Sequence, residues 1–593
     1  MSIISKRTSL TSILKDHSTV SRDRARQDAH NKVRFSLTTQ KSVKEIFQKA
    51  NEGDFADYEE YITMMKTSAL SDDAFLNTVQ QSRRCIPLLR PQFAGFVETL
   101  LSLKWAQRNK EIREEFKQFI LELMVMHNKY ARIGVDKLLS VWIPEENAAT
   151  SWPRGTPNDD MMERLSDIHE VIAKLIELIP MISSLIVRAV DALFPYFKRS
   201  PHILAGYLHN VLWLLSYQPI FTEDVLRIIL SHLLKVDVNA PRSDIEDAEE
   251  DDEEMHNIFE MDDVRQWQPD EMRLQLAESL DICLTKLYEY LDRQITQSPR
   301  TAERTFRTIM NAFETVILPA HSPHHIQFFI FYCLSLRGTF AETFVKNLWD
   351  KVCNPNVAPG TRQVCVYYIA SLLARAKFLP LTLIQNMLKE FCSWAHQYIA
   401  RYDSSRTDAT IRAHGVFFAI CQAVFYVIAF RSRDLTAGKR QLILLQSLHL
   451  SAIVTSPLNP LRVCLPAVAT AFAGVTRAHQ LTYCHTILER NARKKLATVY
   501  MSDVEMPEET LDTFFPFDPY LLKKSSKYIE NLYLKYQASE EEEKPDEDSA
   551  RKRKDTIGDE DDFIAEKRLR TSSDAARSPE LQFTYSFSPG FHT

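Results

Sequence analysis

Histidine and cysteine are the residues in this chain whose chemistry would be most specific, because they hold metals and supply nucleophiles. His321, His324, His325 and Cys333 lie close together in the chain, and imidazole with thiolate is a zinc-binding combination. No carboxylate or second cysteine completes a tetrahedral set. A helix starting near His325 would also carry Cys333 two turns away. The expectation is therefore a turn capped by histidines and followed by a buried helix, with no metal. His169-Glu170 begins an HExxH pattern, but Ala173 stands where its second histidine belongs. The nine cysteines contain no CxxC pair, and the nearest two are Cys353 and Cys365. That scatter fits buried free thiols in a reducing compartment better than a zinc ribbon or a redox site. The twelve glycines are spread along 593 residues. Phosphate loops and nucleophile elbows need two glycines within a few residues so that backbone can approach an anion, and no such pair exists. No catalytic activity and no cofactor are expected.

Other residue patterns point to recognition. Arg551-Lys552-Arg553-Lys554 and Lys567-Arg568-Leu569-Arg570 form two basic clusters, spaced as a bipartite nuclear-import signal that an importin would read by charge pairing. Lys32, Val33 and Phe35 fit a short docking pattern for a protein phosphatase, with valine and phenylalanine pocketed beside a sheet edge; lying along the helical body is the plainer reading. Ser578 and Ser588 precede prolines in a polar tail, where kinases would reach them. Ser200 also precedes a proline, beside Lys198 and Arg199. Phosphate there would change the charge of a basic spot, whereas the structural reading is serine at an N-cap with proline at N1.

The elements that must carry these residues are helices. Ile112, Phe116, Phe119, Ile120 and Leu123 fall on one stripe, as do Leu165, Ile168, Ile172, Leu175, Ile176 and Ile179. Thr222 reads as an N-cap, with Glu223 and Asp224 in the first turn. Similar stripes recur from 41 to 536. No strict repeat is present, but degenerate pairs of about 40–47 residues would match a HEAT-like solenoid; a compact α-domain is the alternative. Gly415 to Phe430 is apolar except for Gln422, shorter than the roughly 20 residues a membrane span needs, so it reads as a buried core helix, with no membrane contact. Residues 1–40 and 537–593 read as a disordered arm and tail. Between Asp244 and Glu254, nine of eleven residues are acidic. Such a run self-repels, so 243–270 is expected to be a disordered acidic loop inserted in the helical body.

Several segments carry a resemblance to a known family. They are Leu234–Asn239 running into Ile245–Glu250, Gln327–Tyr332, Leu373–Phe378, His414–Gly415 with Cys421–Tyr426, Leu458–Leu461 and Leu511–Pro519. Together they resemble the eukaryotic RNA polymerase I-specific initiation factors (TIF-IA), in order along about 190–525. The resemblance implies an all-α, HEAT-repeat solenoid without catalysis that binds RNA polymerase I and bridges it to the promoter-bound core factor (SL1 in animals). Such a protein would work in the nucleus and nucleolus on ribosomal RNA genes under phosphorylation control. It also implies polymerase contact around Lys198, Arg199, Ser200, Tyr207, His209 and Asn210. Phe514, Phe515, Phe517 and Asp518 are candidates for the core factor, or else cap the end of the solenoid. Vertebrate members have a regulatory Ser-Thr after the proline aligned with Pro180; Met181-Ile182 stand here. The runner-up is a HEAT-type nuclear transport or phosphatase scaffold. Direct DNA contact and a homodimer of the free protein stay open on sequence.

Overall fold

The structure is a computed structural model that describes residues 42–67, 70–258, 270–401, 410–501, 511 and 514–536, except for the side chains of 251–258 and 494–501. The described residues are helices and turns, with one isolated β-bridge between Ala376 and Tyr533. They form two compact units divided between His232 and Leu233.

The first unit contains α1 (Val43–Asn51), α2 (Ala56–Thr67), α3 (Asp72–Arg84), α4 (Ala94–Leu101), α5 (Lys110–Met126), α6 (Ala131–Ser140), α7 (Asp159–Leu178), α8 (Ile182–Ala192) and α9 (Pro201–Tyr217); the division falls within α10 (Thr222–Val238). Local chemistry sets the starts. Ser42, Ser71, Asn109 and Asn158 accept backbone N–H groups that α1, α3, α5 and α7 would otherwise leave unsatisfied. Thr222 departs from its expected role: its hydroxyl donates to the Pro219 carbonyl, because the 3₁₀ turn Pro219–Phe221 runs directly into α10. Packing follows a skip-one rule, α1 on α3, α2 on α4, α3 on α5, α4 on α6, α5 on α7 and α6 on α8. That is the pattern of stacked helix pairs, in which each helix lies beside its equivalent in the next pair.

The second unit continues with α11 (Arg242–Ile258), α12 (Gln275–Gln297), α13 (Pro299–Ala312), α14 (Phe328–Ser335), α15 (Gly338–Cys353), α16 (Pro359–Arg375), α17 (Leu381–Arg401), α18 (Ile411–Phe430), α19 (Ser432–Thr436), α20 (Lys439–Ser447), α21 (Leu450–Val454), α22 (Pro460–Val463), α23 (Pro466–Ala478), α24 (His485–Met501) and α25 (Ser526–Ile529). At its centre is α18, contacted by α16, α17 and α23 and buried at every residue from Gly415 to Phe430. Its one polar interruption, Gln422, accepts the Leu465 N–H at the start of α23, so the residue that breaks the apolar run satisfies a helix end.

The acidic insertion differs from expectation, since 242–258 is helical. Ile245 is buried, Arg242 pairs with Asp518 at 3.0 Å, and Glu249 accepts from the Arg273 N–H and the Lys523 ammonium. Self-repulsion along the chain is offset at Glu249 by a cation, Lys523, that arrives from a distant position. Residues 259–269 lie outside the described part.

Candidate protein interface

The polymerase-contact candidates begin in the link between α8 and α9. Phe194 is buried, its ring stacked on His232 at 4.2 Å and set edge-on to Tyr207. With that ring anchored, the following residues turn outward. Tyr196 is 62% exposed, Lys198 and Arg199 are exposed, and the Lys198 ammonium lies 5.8 Å from the Phe197 ring centroid. Arg199 donates its N–H to Tyr196 to close a turn, and its guanidinium pairs with Glu146 at 2.7 Å. Ser200 occupies the N-cap position and Pro201 is N1, but the hydroxyl makes no capping bond.

The Glu146 loop is held against α9 because Gly206 leaves room for it. A Cβ there would come within 2.6 Å of the Pro144 ring and 2.9 Å of Trp152. Beside the loop opens a cleft of about 400 Å³ lined by Trp105, Val141, Pro144, Glu145, Trp152 and Arg164, with Lys104 and Lys137 at its edge. Aromatic floor, cationic rim and an exposed tyrosine are the composition of a protein-binding surface. Tyr196 and this cleft were not among the sequence candidates. The available signal was Tyr196-Phe197 beside two cations between Pro195 and Pro201.

Three other candidates from this stretch part company. Tyr207 and Asn210 are fully buried and His209 is half-buried. The reason is that α9 is a core helix enclosed on nearly every side: residues 203–208, 210–212, 214 and 215 are all buried. The Tyr207 hydroxyl donates to the Val190 carbonyl, and Asn210 donates to Trp142 and Gly206 carbonyls. Asn210 also meets His169, whose ring lies between Trp142 and Trp213 and whose Nδ1 is 2.9 Å from the Tyr217 hydroxyl. These residues build the core, so Tyr207 and Asn210 are not surface contacts.

Burial lowers the His169 pKa to about 3, with the hydrogen bond that its Nε2 donates to the Asn210 side-chain oxygen opposing it. The unfolded chain takes a proton near the ordinary value of about 6.5 while the folded one stays neutral, so stability is complete above that pH and lost below it. Lowering pH from 6.5 to 5 should cost the first unit about 2 kcal/mol through this residue. Urea titrations of wild type and His169→Gln at both pH values check this, with the substituted protein showing the smaller drop.

The aromatic segment near the C-terminus is also interior. Phe515 and Phe517 are buried and Phe514 and Asp518 half-buried, so the first two are not available to a core factor. Nor does the segment cap an end. Gln327 donates to the Pro516 carbonyl, the Phe517 N–H reaches Ser371 at 3.0 Å, and Phe517 packs on Phe328, Phe331 and Tyr368. Further along, Asp281 accepts from the N–H groups of Lys524 and Ser525 and from the Ser525 hydroxyl, while Lys524 pairs with Glu278 at 2.6 Å. Arg375, 1% exposed, lies 4.7 Å from the Phe430 ring centroid and 5.1 Å from that of Tyr533. Residues 514–536 thus form a strap across α12, α14, α16 and α18, and it lies against three of the segments that carry the family resemblance, at Gln327 and Phe328, Arg375, and Tyr426.

The histidine group is dismantled in the same way. The His324 and His325 N–H groups donate to buried Asp237 at 2.7 and 2.8 Å, which fixes the turn before α14. His325 and Cys333 are packed in the core, where burial raises the Cys333 thiol to about 12. Among the described residues, one carboxylate trio has metal-like spacing, Glu114, Asp167 and Glu170. The Lys117 ammonium pairs with all three, at 2.6, 3.0 and 2.6 Å. Lys32, Val33, Phe35, Arg551, Lys552, Arg553, Lys554, Lys567, Arg568, Arg570, Ser578 and Ser588 lie outside the described residues.

A chain of stacked helices whose polar groups serve packing, with an aromatic and cationic link beside an open cleft, is a helical scaffold of the kind that presents surface to another macromolecule. Comparison with known proteins makes the class specific. Residues 35–541 match the family model described as RNA polymerase I specific transcription initiation factor RRN3, and the chain belongs to that family. It is similar to the mouse RNA polymerase I-specific transcription initiation factor RRN3, with 31% identity over 90% of this chain and 85% of the mouse protein. The rrn3 factor of Schizosaccharomyces pombe is 25% identical over 84% of this chain and 88% of its own. The crystal structure of RNA polymerase I transcription initiation factor Rrn3 matches with a TM-score of 0.66 at 19% identity, covering 84% of this chain and 98% of that one. At that identity the likeness is one of fold.

Proposed function

We propose that this chain is an RNA polymerase I initiation factor that works as an adaptor, without chemistry of its own. It docks the polymerase through the Tyr196–Ser200 link and neighbouring cleft, and bridges it to a promoter-bound, SL1-like core factor at ribosomal RNA genes in the nucleolus. The observation that carries this reading is the family match across 35–541. The local support is that Tyr196, Lys198 and Arg199 project from a rigid base, anchored by Phe194 and by the Arg199–Glu146 pair. Kinases would act at Ser200, since its hydroxyl makes no capping bond and phosphate there would sit at a helix N-terminus beside two cations.

The test is recovery of polymerase I subunits with the tagged chain. Lys198→Glu with Arg199→Glu should reduce recovery by about tenfold, since reversed charge at an interface rim slows association and removes favourable pairing. Ser200→Asp should act in the same direction. Unchanged recovery by folded variants would remove this link from the interface. Recovery of importin cargo or phosphatase subunits without polymerase would overturn the reading as a whole.

A further inference from the structure

The ends of α3, α5 and α7 line one edge of the first unit. Ion pairs show that the three helices run the same way. Arg108 meets Asp72 near the starts of α5 and α3, and Glu122 meets Arg83 toward their ends. Arg113 meets Glu163 and Lys117 meets Glu170, in the same order along α5 and α7. The turns that follow these helices touch one after another. His127 Nε2 lies 2.7 Å from the Ile86 carbonyl oxygen, and the Asn128 amide lies 2.8 Å from the Met181 sulfur. Along this edge Pro87 is exposed, and Val125, Met126, Leu178 and Met181 are each more than half exposed. Single apolar residues at a surface are ordinary, whereas a group of them shared by neighbouring elements marks an interaction face.

The chain enters the first unit at one end of this row. Ser42 is the first described residue, and the Val43 N–H donates at 3.0 Å to the side chain of Gln81, in the last turn of α3. Shortly before it in the sequence, Val33, Phe35 and Leu37 alternate with Lys32, Arg34 and Ser36, the pattern of an extended segment with one apolar and one polar side. Packed helices lie about 8–10 Å apart, so α7 is roughly 20 Å from α3. An extended chain advances about 3.3 Å per residue, which lets Phe35 reach about 23 Å from Ser42. The edge also offers two methionines, whose flexible thioethers pack well against aromatic rings. We infer that Val33–Leu37 docks in cis along this edge, with Val33, Phe35 and Leu37 against Met126, Leu178 and Met181 and with Arg34 turned to water. The Val-x-Phe pattern is then held by the chain's own helical body, and a phosphatase that reads it must first peel the arm away.

Photo-cross-linking of the intact chain tests this. With p-benzoylphenylalanine in place of Phe35, irradiation of an equal mixture of light and heavy isotope-labelled chains should give links to Met126 or Met181 within one label. The same probe in place of Arg34, on the polar side of the segment, should give about fivefold less, because its ring would point to water. Val125→Glu with Leu178→Glu leaves both methionines in place and changes only exposed positions; it should lower the yield from position 35 by a similar factor, since charge on the edge opposes apolar docking. The proposal is overturned if the probe at 35 does not link to this edge, or if the links form mainly between labels, which would place the arm on a second copy. Equal yields from positions 34 and 35, or a yield unchanged in the double variant, would overturn it as well.

Discussion

Replacing Asp281 with alanine should release the C-terminal strap and cost about 3–5 kcal/mol of local stability. Asp281 is fully buried on α12 and accepts from the N–H groups of Lys524 and Ser525, at 2.7 and 2.8 Å, and from the Ser525 hydroxyl. Burial pushes its carboxyl pKa up, against the hydrogen bonds from Ser525 and Lys524 that favour the ionised form. Alanine would strand donors that the fold keeps from water, at about 1–3 kcal/mol for each unsatisfied group. Glu278 and Lys524 would remain paired one turn away, so the strap should loosen around 519–529 before it detaches. Amide hydrogen exchange should show lost protection there with little change in the first unit. Asp281→Asn keeps an acceptor but turns an NH₂ group toward existing donors, so an intermediate loss is expected. Full protection of 519–536 in the alanine variant would show that apolar packing alone holds the strap.

Lys117→Ala should destabilise the first unit by about 1.5–3 kcal/mol, the range for hydrogen bonds to charged groups, because the Glu114 and Glu170 carboxylates it leaves are partly open to water. The ammonium is almost fully buried between α5 and α7. Burial opposes its charge, but hydrogen bonds with Glu114, Glu170 and Asp167 outweigh that and hold its pKa above the ordinary lysine value. Without it the trio would repel. Arg113 still pairs with Asp167, and Lys174 with Glu170, which limits but does not remove the loss. Lys117→Met retains the packed stem and isolates charge. Its deficit in urea unfolding should shrink as pH falls toward the carboxylate range, because protonation relieves the repulsion. A deficit independent of pH would assign the effect to packing.

How much was legible in the sequence depended on the range of the interaction. The helical body was legible, because apolar periodicity and caps such as Asn109 and Asn158 act within a few residues. The buried nature of 415–430 was legible from its length and apolarity. Tyr207 and Asn210 misled because a basic, proline-bounded entry suggested surface, whereas neighbouring helices enclose α9 on nearly every side. The 242–258 run misled because the groups that hold Glu249, the Arg273 backbone N–H and the Lys523 ammonium, lie far along the chain.

The sequence alone determined that this is an all-helical protein without clustered glycines for anion loops, and it carried segments long enough to recognise the family. Composition, periodicity and local motifs are properties of short stretches, so no contact information was needed. Tertiary structure decided which aromatic and ionic residues are available to a partner. Phe517 and Lys198 look equally suited to an interface in the chain; the strap buries one against Phe328 and Phe331, and the anchored turn after Phe194 exposes the other. That choice rests on pairings across long sequence separations, such as Asp281 with Ser525, which no local pattern encodes.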